Sequence, residues 1–481
     1  MGLRDKAVSG VFWTGIGSLS SGFLNFVITI VLARLLSPSD FGLLELLAIF
    51  TVISECFIDS GFSQAVIRDN EASQLDLSSV FFFNLSISLF LYILLFFLSP
   101  CIASFYNEPC LTNLSRFVFL VIIFHSCSII QNAIFTKNLQ FRPLAITSIT
   151  SVIISGTVTG ILAYNGYGVW ALATNIVLYA FLKMMFLWSL SKWRPIFMIS
   201  RSSIRKYFRF GGNLLVQGLV DKFVTNFESL MIGKFYSKSD LGFFSQARKL
   251  DSYIIQTTSS VIQKVTYPIL AKVESKPDSL KSGYRRIVGI TMFVMTPILL
   301  FTVACSDNML YVLFGEQWEH SIPFLRLWSL CGILQCYYSI FINTFLVTGN
   351  TRQLLYITLS KQLIRLIMIF SLIRISVMSI MFGIVGVGVF SAIIYCFYGS
   401  KLINYRLKEI WIDLRLTLLA SIVSSLIVFL IGIMFSQYNH LFVFIVQICV
   451  MAGIYLTLSV HNKSFKETVS IVASLKHRLI K

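Results

Sequence analysis

Lys361 and Arg365 stand four positions apart inside a long apolar run. On a helix that spacing puts both side chains on one face. At about 1.5 Å of rise per residue, Arg365 lies about 16 Å into its run, and Lys222 lies about 18 Å into another. Both depths are near the middle of a hydrocarbon core about 30 Å thick. A central Lys or Arg costs at least about 2.5–3.5 kcal/mol, so it persists only where it meets water, a counter-ion or an anionic ligand. Arg can grip a phosphate through two parallel hydrogen bonds, and Lys acts on it as a point charge. Lys183, Lys264 and Arg326 lie nearer the ends of their runs, where snorkelling to the headgroups is the competing reading. The candidate anion-binding set is therefore Lys222, Lys361, Arg365, Arg326 and Lys264.

A second pattern is polar without being basic. Thr14, Ser18, Ser21, Asn25 and Thr29 recur at steps of three and four in the first apolar run, which makes one stripe along a helix. Asn213, Gln217, Asp221, Thr225 and Glu228 repeat it in the seventh run, and Ser252, Gln256, Ser259 and Gln263 in the eighth. A polar stripe facing lipid is expensive, so these faces turn inward. Hydrogen bonding between helices is one reading. A water-filled cavity is the other, favoured by the carboxylates Asp221 and Glu228. Asn25, Gln217, Asp221 and Glu228 are candidates for lining that cavity or for coupling transport to an ion.

The elements that must position these groups follow from composition. Of 481 residues, 56% are hydrophobic and 12% charged, against about 25% charged in soluble domains. The apolar residues come in blocks of roughly 20, the length that crosses a bilayer. About fourteen transmembrane helices are expected, in an all-α polytopic membrane protein whose connections are short. With the N-terminus in the cytoplasm, 26 of the 39 Lys and Arg residues fall in cytoplasmic segments and 7 on the opposite side. That bias sets the orientation, and it makes a net charge of +18 a membrane-topology signal, with nucleic acid excluded as a partner.

The chain also repeats itself. ARLLSPSDFGLL at 33–44 returns as GKFYSKSDLGFF at 233–244, sharing S-x-S-D-x-G. FYNEP at 105–109 resembles LFGEQ at 313–317, with Arg116 following the first and Arg326 the second. A common order and spacing imply a duplicated six-span unit, both copies in one orientation because an even number of spans separates them. The expected organisation is an N-terminal six-helix lobe (1–198), an interfacial linker (199–209), a second six-helix lobe (210–400), two extra spans (401–462) and a cytoplasmic amphipathic tail (463–481). In the linker, Ile204, Tyr207 and Phe208 share one face and Arg201, Arg205 and Arg209 another, which suits a helix lying on the inner leaflet.

Signals for enzymatic chemistry are missing from the sequence. It contains no HExxH, GxSxG or P-loop pattern and no CxxC pair, so no metal site, cofactor or catalytic residue is expected. His125 stands alone in an apolar run and reads as a buried core histidine.

The runs AVSGVFW (7–13), VLARLLSPSDFGLLELLAIF (31–50), DSGFSQAVIR (59–68), LMIGKFYSKSDLGFFSQARKL (230–250), YPILAKV (267–273) and LFGEQWEHSIPFLRLWSL (313–330) resemble the Wzx-type polysaccharide flippases of the multidrug/oligosaccharidyl-lipid/polysaccharide exporter superfamily. Members typically carry Asp where this chain has Glu228. The resemblance implies two six-helix lobes around a cationic central cavity, and alternating access between the leaflets of a bacterial inner membrane. It implies undecaprenyl-pyrophosphate-linked oligosaccharide repeat units, of O-antigen or capsule type, as cargo. Polymerase and chain-length proteins of the same pathway are the implied partners. A cation or drug exporter on the same fold is the alternative, and a membrane polymerase or ligase a more distant one, given the short external loops. Both termini are expected in the cytoplasm. Reporter fusions after residue 200 and after residue 481 should both read as cytoplasmic, and an external signal at either would show a miscounted span.

Overall fold

The computed structural model describes residues 3–59, 61–69, 71–271, 277–460, 462 and 464–468. Among them the structure is helical throughout. Residues 1–245 form one compact unit and residues 246–481 another. The first contains α1 (Leu3–Leu35), α2 (Pro38–Asp59), α3 (Phe62–Arg68), α4 (Gln74–Tyr106), α5 (Leu111–Val118), α6 (Leu120–Lys137), α7 (Phe141–Tyr164), α8 (Val169–Leu190) and α9 (Arg201–Phe235). Helix α10 (Lys238–Ala271) begins there and runs on into the second unit, which adds α11 (Pro277–Leu313), α12 (Ile322–Val347), α13 (Thr351–Leu372), α14 (Val377–Leu402), α15 (Leu407–Met434) and α16 (His440–Ser459).

Twelve spans among the described residues are long and apolar enough to cross a membrane. The two segments that separate this number from the expected fourteen are α9 and α10. At 35 and 34 residues and about 1.5 Å per residue they have the length. They fall short in apolarity, because Asp221, Lys222, Glu228 and Lys234 interrupt α9, and Asp240, Arg248, Lys249 and Asp251 interrupt α10.

Two of the membrane helices, α7 and α15, bury mainly small and polar residues and expose large apolar ones. On α15 the buried side is Thr417, Ala420, Ser421, Ser424 and Val428, while Leu416, Leu419, Leu426, Leu430 and Ile433 are exposed. On α7, Thr147, Ser151, Ser155 and Thr159 are buried, and Ile146, Ile153, Ile154 and Ile161 are exposed. Lipid solvates the large side chains as well as a protein core would, so helices associate where small residues let backbones approach. Many buried hydroxyls donate to the carbonyl four residues back, as Thr159 does to Ser155 O (2.7 Å) and Ser421 to Thr417 O (2.7 Å).

The repeated motifs turn out to be corner pieces. In the first copy, the Ser37 N–H and hydroxyl both donate to Asp40 Oδ2, at 3.0 and 2.7 Å. In the second, Ser237 does the same to Asp240 Oδ2, at 3.2 and 2.7 Å. Each pair closes the start of a long helix, α2 or α10. The glycines of the two copies then pack reciprocally. A Cβ on Gly42 would sit 1.7 Å from Lys238 O, and a Cβ on Gly242 would sit 1.9 Å from Pro38 O. Reciprocal contact between equivalent positions marks a local two-fold axis. The second repeat is equally regular: Asn107 and Gly315 both take positive φ, 57° and 97°. Arg116 Nε donates to Phe96 O (3.4 Å), and Arg326 Nε to Ser306 Oγ (2.8 Å), each reaching twenty residues back.

The expected interfacial linker takes a different form. Residues 201–209 are the first turns of α9 and continuous with it. Tyr207 is buried in protein rather than in the leaflet, in a cluster with Phe62, Val66, Val80, Phe81 and Ile130. Its hydroxyl donates to Asp69 Oδ2 (2.7 Å), and Lys206 Nζ donates to the same oxygen (2.6 Å). The preceding strand of chain is tied to α4, with Ile196 N–H donating to Ser78 Oγ and Ser200 N–H to Ser79 Oγ. The amphipathic face read from the sequence is real, but the apolar surface it meets is α3 and α4. Of the expected tail, residues 469–481 lie outside the described residues; Glu467, within the described part, pairs with Arg286 at 3.5 Å.

Two outcomes follow. Gly42→Ala and Gly242→Ala should each lower the amount of inserted protein several-fold, since a backbone must move at a cost of about 1–3 kcal/mol. Gly160→Ala, where an added Cβ meets nothing within 4 Å, should leave abundance unchanged. The hydrogen bonds from Lys206 and Tyr207 draw the Asp69 carboxyl down from 3.8 to about 2. A lowered carboxyl stabilises the fold above its ordinary value and loses that contribution as pH falls towards 2. Asp69→Asn should therefore cost about 1 kcal/mol at neutral pH, after allowance for solvent screening. In thermal unfolding of the purified protein, the gap to wild type should hold from pH 8 to pH 5 and close only below about pH 4.

Candidate functional site

In the first unit, charged and polar side chains from several helices converge inside the apolar zone. Glu55 of α2 lies four residues from the end of its helix, or about 6 Å, within an apolar span that runs on to Arg68. Lys222 of α9 and Lys183 of α8 both act on its charge. His125 of α6 is within electrostatic reach of Lys183 and Asp59, and Cys56 of Lys222, Asp59 and Asp221. The packing that brings α9 to α2 is close: a Cβ on Gly218 would lie 3.9 Å from Cys56 Sγ. Lys222 is thus within electrostatic reach of Glu55, and Asp221 within reach of Cys56. Lys183 turns inward, its Nζ 5.8 Å from the centre of the Tyr179 ring.

Next to this cluster is a cavity of about 340 Å³ between α1, α2, α6 and α8, with Asn25, Glu55, His125, Asn132, Asn175 and Lys183 in its wall. The Asn25 carboxamide donates to Ser21 O (2.8 Å). His125 Nδ1 is buried without a hydrogen-bond partner. His125 is thus buried, as expected of a lone histidine in an apolar run, and it also borders this polar space. Further along the first unit, Glu228 is fully buried. Its neighbour Ser229 donates to Glu45 Oε1 (3.3 Å), itself a buried carboxylate of α2.

The second unit gathers the basic pair. Lys361 Nζ lies 5.3 Å from the centre of the Tyr338 ring, and Arg365 acts on the same tyrosine. Tyr338 stacks on Tyr395, with ring centres 5.4 Å apart and planes 19° from parallel. The Tyr395 and Thr358 hydroxyls are hydrogen-bonded at 2.9 Å. Thr358, Lys361 and Arg365 follow helical spacing on α13, so they share a face, and α12 and α14 supply the aromatic wall. Cation–π contact of this kind favours an ammonium in an otherwise apolar setting. Arg326 is differently placed. Its guanidinium donates to Asp307 Oδ2 (2.7 Å) and Ser306 Oγ (2.8 Å), so a carboxylate already balances it. Asp251 of α10 is buried, and a Cβ on Gly332 would come within 3.3 Å of its Oδ1. The side chains of Gln217 and Lys264 lie outside the described residues.

Sequence reasoning missed Glu45, Glu55, Asn132, Asn175, Tyr179 and Asp251. A signal was present for the carboxylates. Glu45 and Glu55 interrupt one apolar run, and an ionisable residue inside a span is a functional candidate by default. The asparagines carried no such mark.

The chain resembles known proteins over most of its length. It is 24% identical over 335 residues to the teichuronic acid biosynthesis protein TuaB of Bacillus subtilis (strain 168), covering 69% of each chain. It is 25% identical over 343 residues to the lipopolysaccharide biosynthesis protein WzxC of Escherichia coli (strain K12), covering 70% of this chain and 68% of that one. Among solved structures, the lipid II flippase MurJ in an inward closed conformation superimposes with a TM-score of 0.73 at 15% identity, covering 93% of this chain and 98% of that one. An inward-facing multidrug resistance MATE family transporter of the MOP superfamily gives 0.62 at 15% identity, covering 80% and 94%. The fold is therefore the one these two transporters share. Residues 31–323 match the family model described as polysaccharide biosynthesis protein; as that is more than half of the sequence, the chain belongs to the polysaccharide biosynthesis protein family.

Proposed function

We propose that this protein is a non-enzymatic transporter of a bacterial inner membrane that moves an undecaprenyl-pyrophosphate-linked oligosaccharide from the cytoplasmic to the outer leaflet by alternating access. The family assignment supports a role in polysaccharide biosynthesis, and relatives named for lipopolysaccharide and teichuronic acid biosynthesis support a glycan as cargo. A fold shared with a lipid II flippase supports a lipid carrier. Helices α9 and α10 complete fourteen crossings and leave both termini in the cytoplasm.

The observation that carries this reading is the Lys361–Arg365–Tyr338 cluster. Two cations on one face of α13, Lys361 against the Tyr338 ring and Arg365 within electrostatic reach of it, suit a pyrophosphate. Arg365 binds it through two parallel hydrogen bonds and Lys361 adds a point charge. The lipid tail stays in the bilayer and needs no polar site. Because MATE transporters share the fold, the fold alone does not separate a glycan lipid from a cationic drug. The positive sign of the α13 pair favours the glycan lipid, since like charges repel a cationic cargo.

Arg365→Ala should abolish surface polysaccharide in cells that depend on this protein, while the variant remains inserted at normal abundance. Arg365→Lys should keep partial export if charge dominates and little if the bidentate grip does. Were Arg365 only a structural partner, Arg365→Ala would instead lower abundance. Normal export by a stable Lys361→Ala, Arg365→Ala double variant would overturn the anion site.

A further inference from the structure

The cavity in the first unit has a chemistry different from that of the α13 cluster. Asn132, Asn175, Tyr179 and Lys183 reach it from α6 and α8, joined by Asn25 and Glu55. At a depth set by α8, Asn175 lies six residues from one helix end and Lys183 seven from the other, or about 9 and 10 Å. Polar groups this deep in a membrane each cost several kcal/mol if they lack partners. The buried Nδ1 of His125 has none. A polar cavity of this kind holds water or a polar ligand.

The wall selects among ligands. The wall carries charge of both signs, Glu55 and Lys183 in the lining with Lys222 within reach. An anion meets the carboxylate, and a metal cation meets the ammonium groups. Carboxamides offer both donors and acceptors at fixed geometry, and the histidine and tyrosine add one polar atom or more each. That is the complement of a ring bearing several hydroxyls. The Tyr179 ring, with Val121, Ile129 and Ile176, gives an apolar surface for the C–H face of such a ring. The volume of about 340 Å³ equals about eleven waters at about 30 Å³ each, room for about one or two pyranose rings.

We infer that the cavity between α1, α2, α6 and α8 is a sugar subsite, binding neutral pyranose hydroxyls of the cargo through Asn132, Asn175, Glu55 and Lys183. This rests on the flippase reading and adds to it a place where the glycan, as distinct from the pyrophosphate, is recognised.

The test compares three probes on purified protein: bare undecaprenyl pyrophosphate, the undecaprenyl-pyrophosphate-linked glycan extracted from cells lacking this protein, and the free glycan released from it. Dissociation constants are measured for wild type, Asn175→Ala and Asn132→Ala, the second variant standing in should the first fail to fold. Wild type should bind the linked glycan more tightly than the bare lipid and should bind the free glycan weakly. Each variant should lose about tenfold for the linked glycan, with the affinity for bare lipid retained. Equal affinities of wild type and a folded variant for the linked glycan would overturn the subsite and leave the flippase reading standing, with the cavity holding water only. An equal loss for bare and linked lipid would also overturn it, since the residues would then act on the headgroup. Failure of wild type to bind either lipid would remove both the flippase reading and the subsite.

Discussion

Lipid offers no hydrogen bonds, and this single fact orders the molecule. Every backbone amide has to be satisfied within its own segment, so the described chain is helical. Large apolar side chains gain from packing inward but are not driven there by water, because acyl chains also solvate them. What must turn inward are serines, threonines and charged groups. The familiar pattern is thereby reversed on α7 and α15, where hydroxyl-bearing and small residues are buried and leucine and isoleucine are exposed. A hydroxyl bonded to its own helix backbone costs little and leaves that helix free to pack closely on its neighbour.

The same constraint fixes the corners. Where the chain leaves one helix for the next, its carbonyls and amides lose their helical partners and must find others. The S-x-S-D-x-G motif answers this twice, with serine and aspartate closing the helix start and glycine admitting the opposite backbone. Because each glycine packs against the other copy's segment, neither corner can change alone. The likeness between the two segments is thus a contact as well as a sequence pattern.

Much of this was legible in the sequence, unevenly. Block length and charge bias reveal the spans, since the bilayer dictates both. The repeat is visible because its residues serve backbone geometry, which tolerates little substitution. The two least apolar helices, α9 and α10, are where hydropathy and helix length part company, and polar residues concentrated there are the reason. Glu55 escaped notice, and His125 was set aside as a core residue, because each looks like an isolated exception within an apolar run. Only the packing of α2, α6 and α8 makes them neighbours. Tyr207 shows the opposite limit: its amphipathic face was read correctly, yet a sequence cannot say whether an apolar face meets lipid or protein. The hydroxyl that reaches Asp69 belongs to the fold, not to the pattern.

Charge within the apolar zone then separates into two kinds. Beside Glu55, lysines and carboxylates bring together charge of both signs. Near Tyr338, Lys361 and Arg365 share a face, and the charge gathered there is of one sign. Arg326 belongs to neither, because Asp307 satisfies it. A simple cation as cargo would leave the basic pair unexplained, and a simple anion would leave the asparagine-rich wall unexplained. A molecule with an anionic phosphate linkage at one point and a hydroxyl-rich ring at another accounts for both without asking either site to bind against its own charge. The cost of holding polar groups in a membrane is then met by the cargo itself, or by water when the cargo is gone.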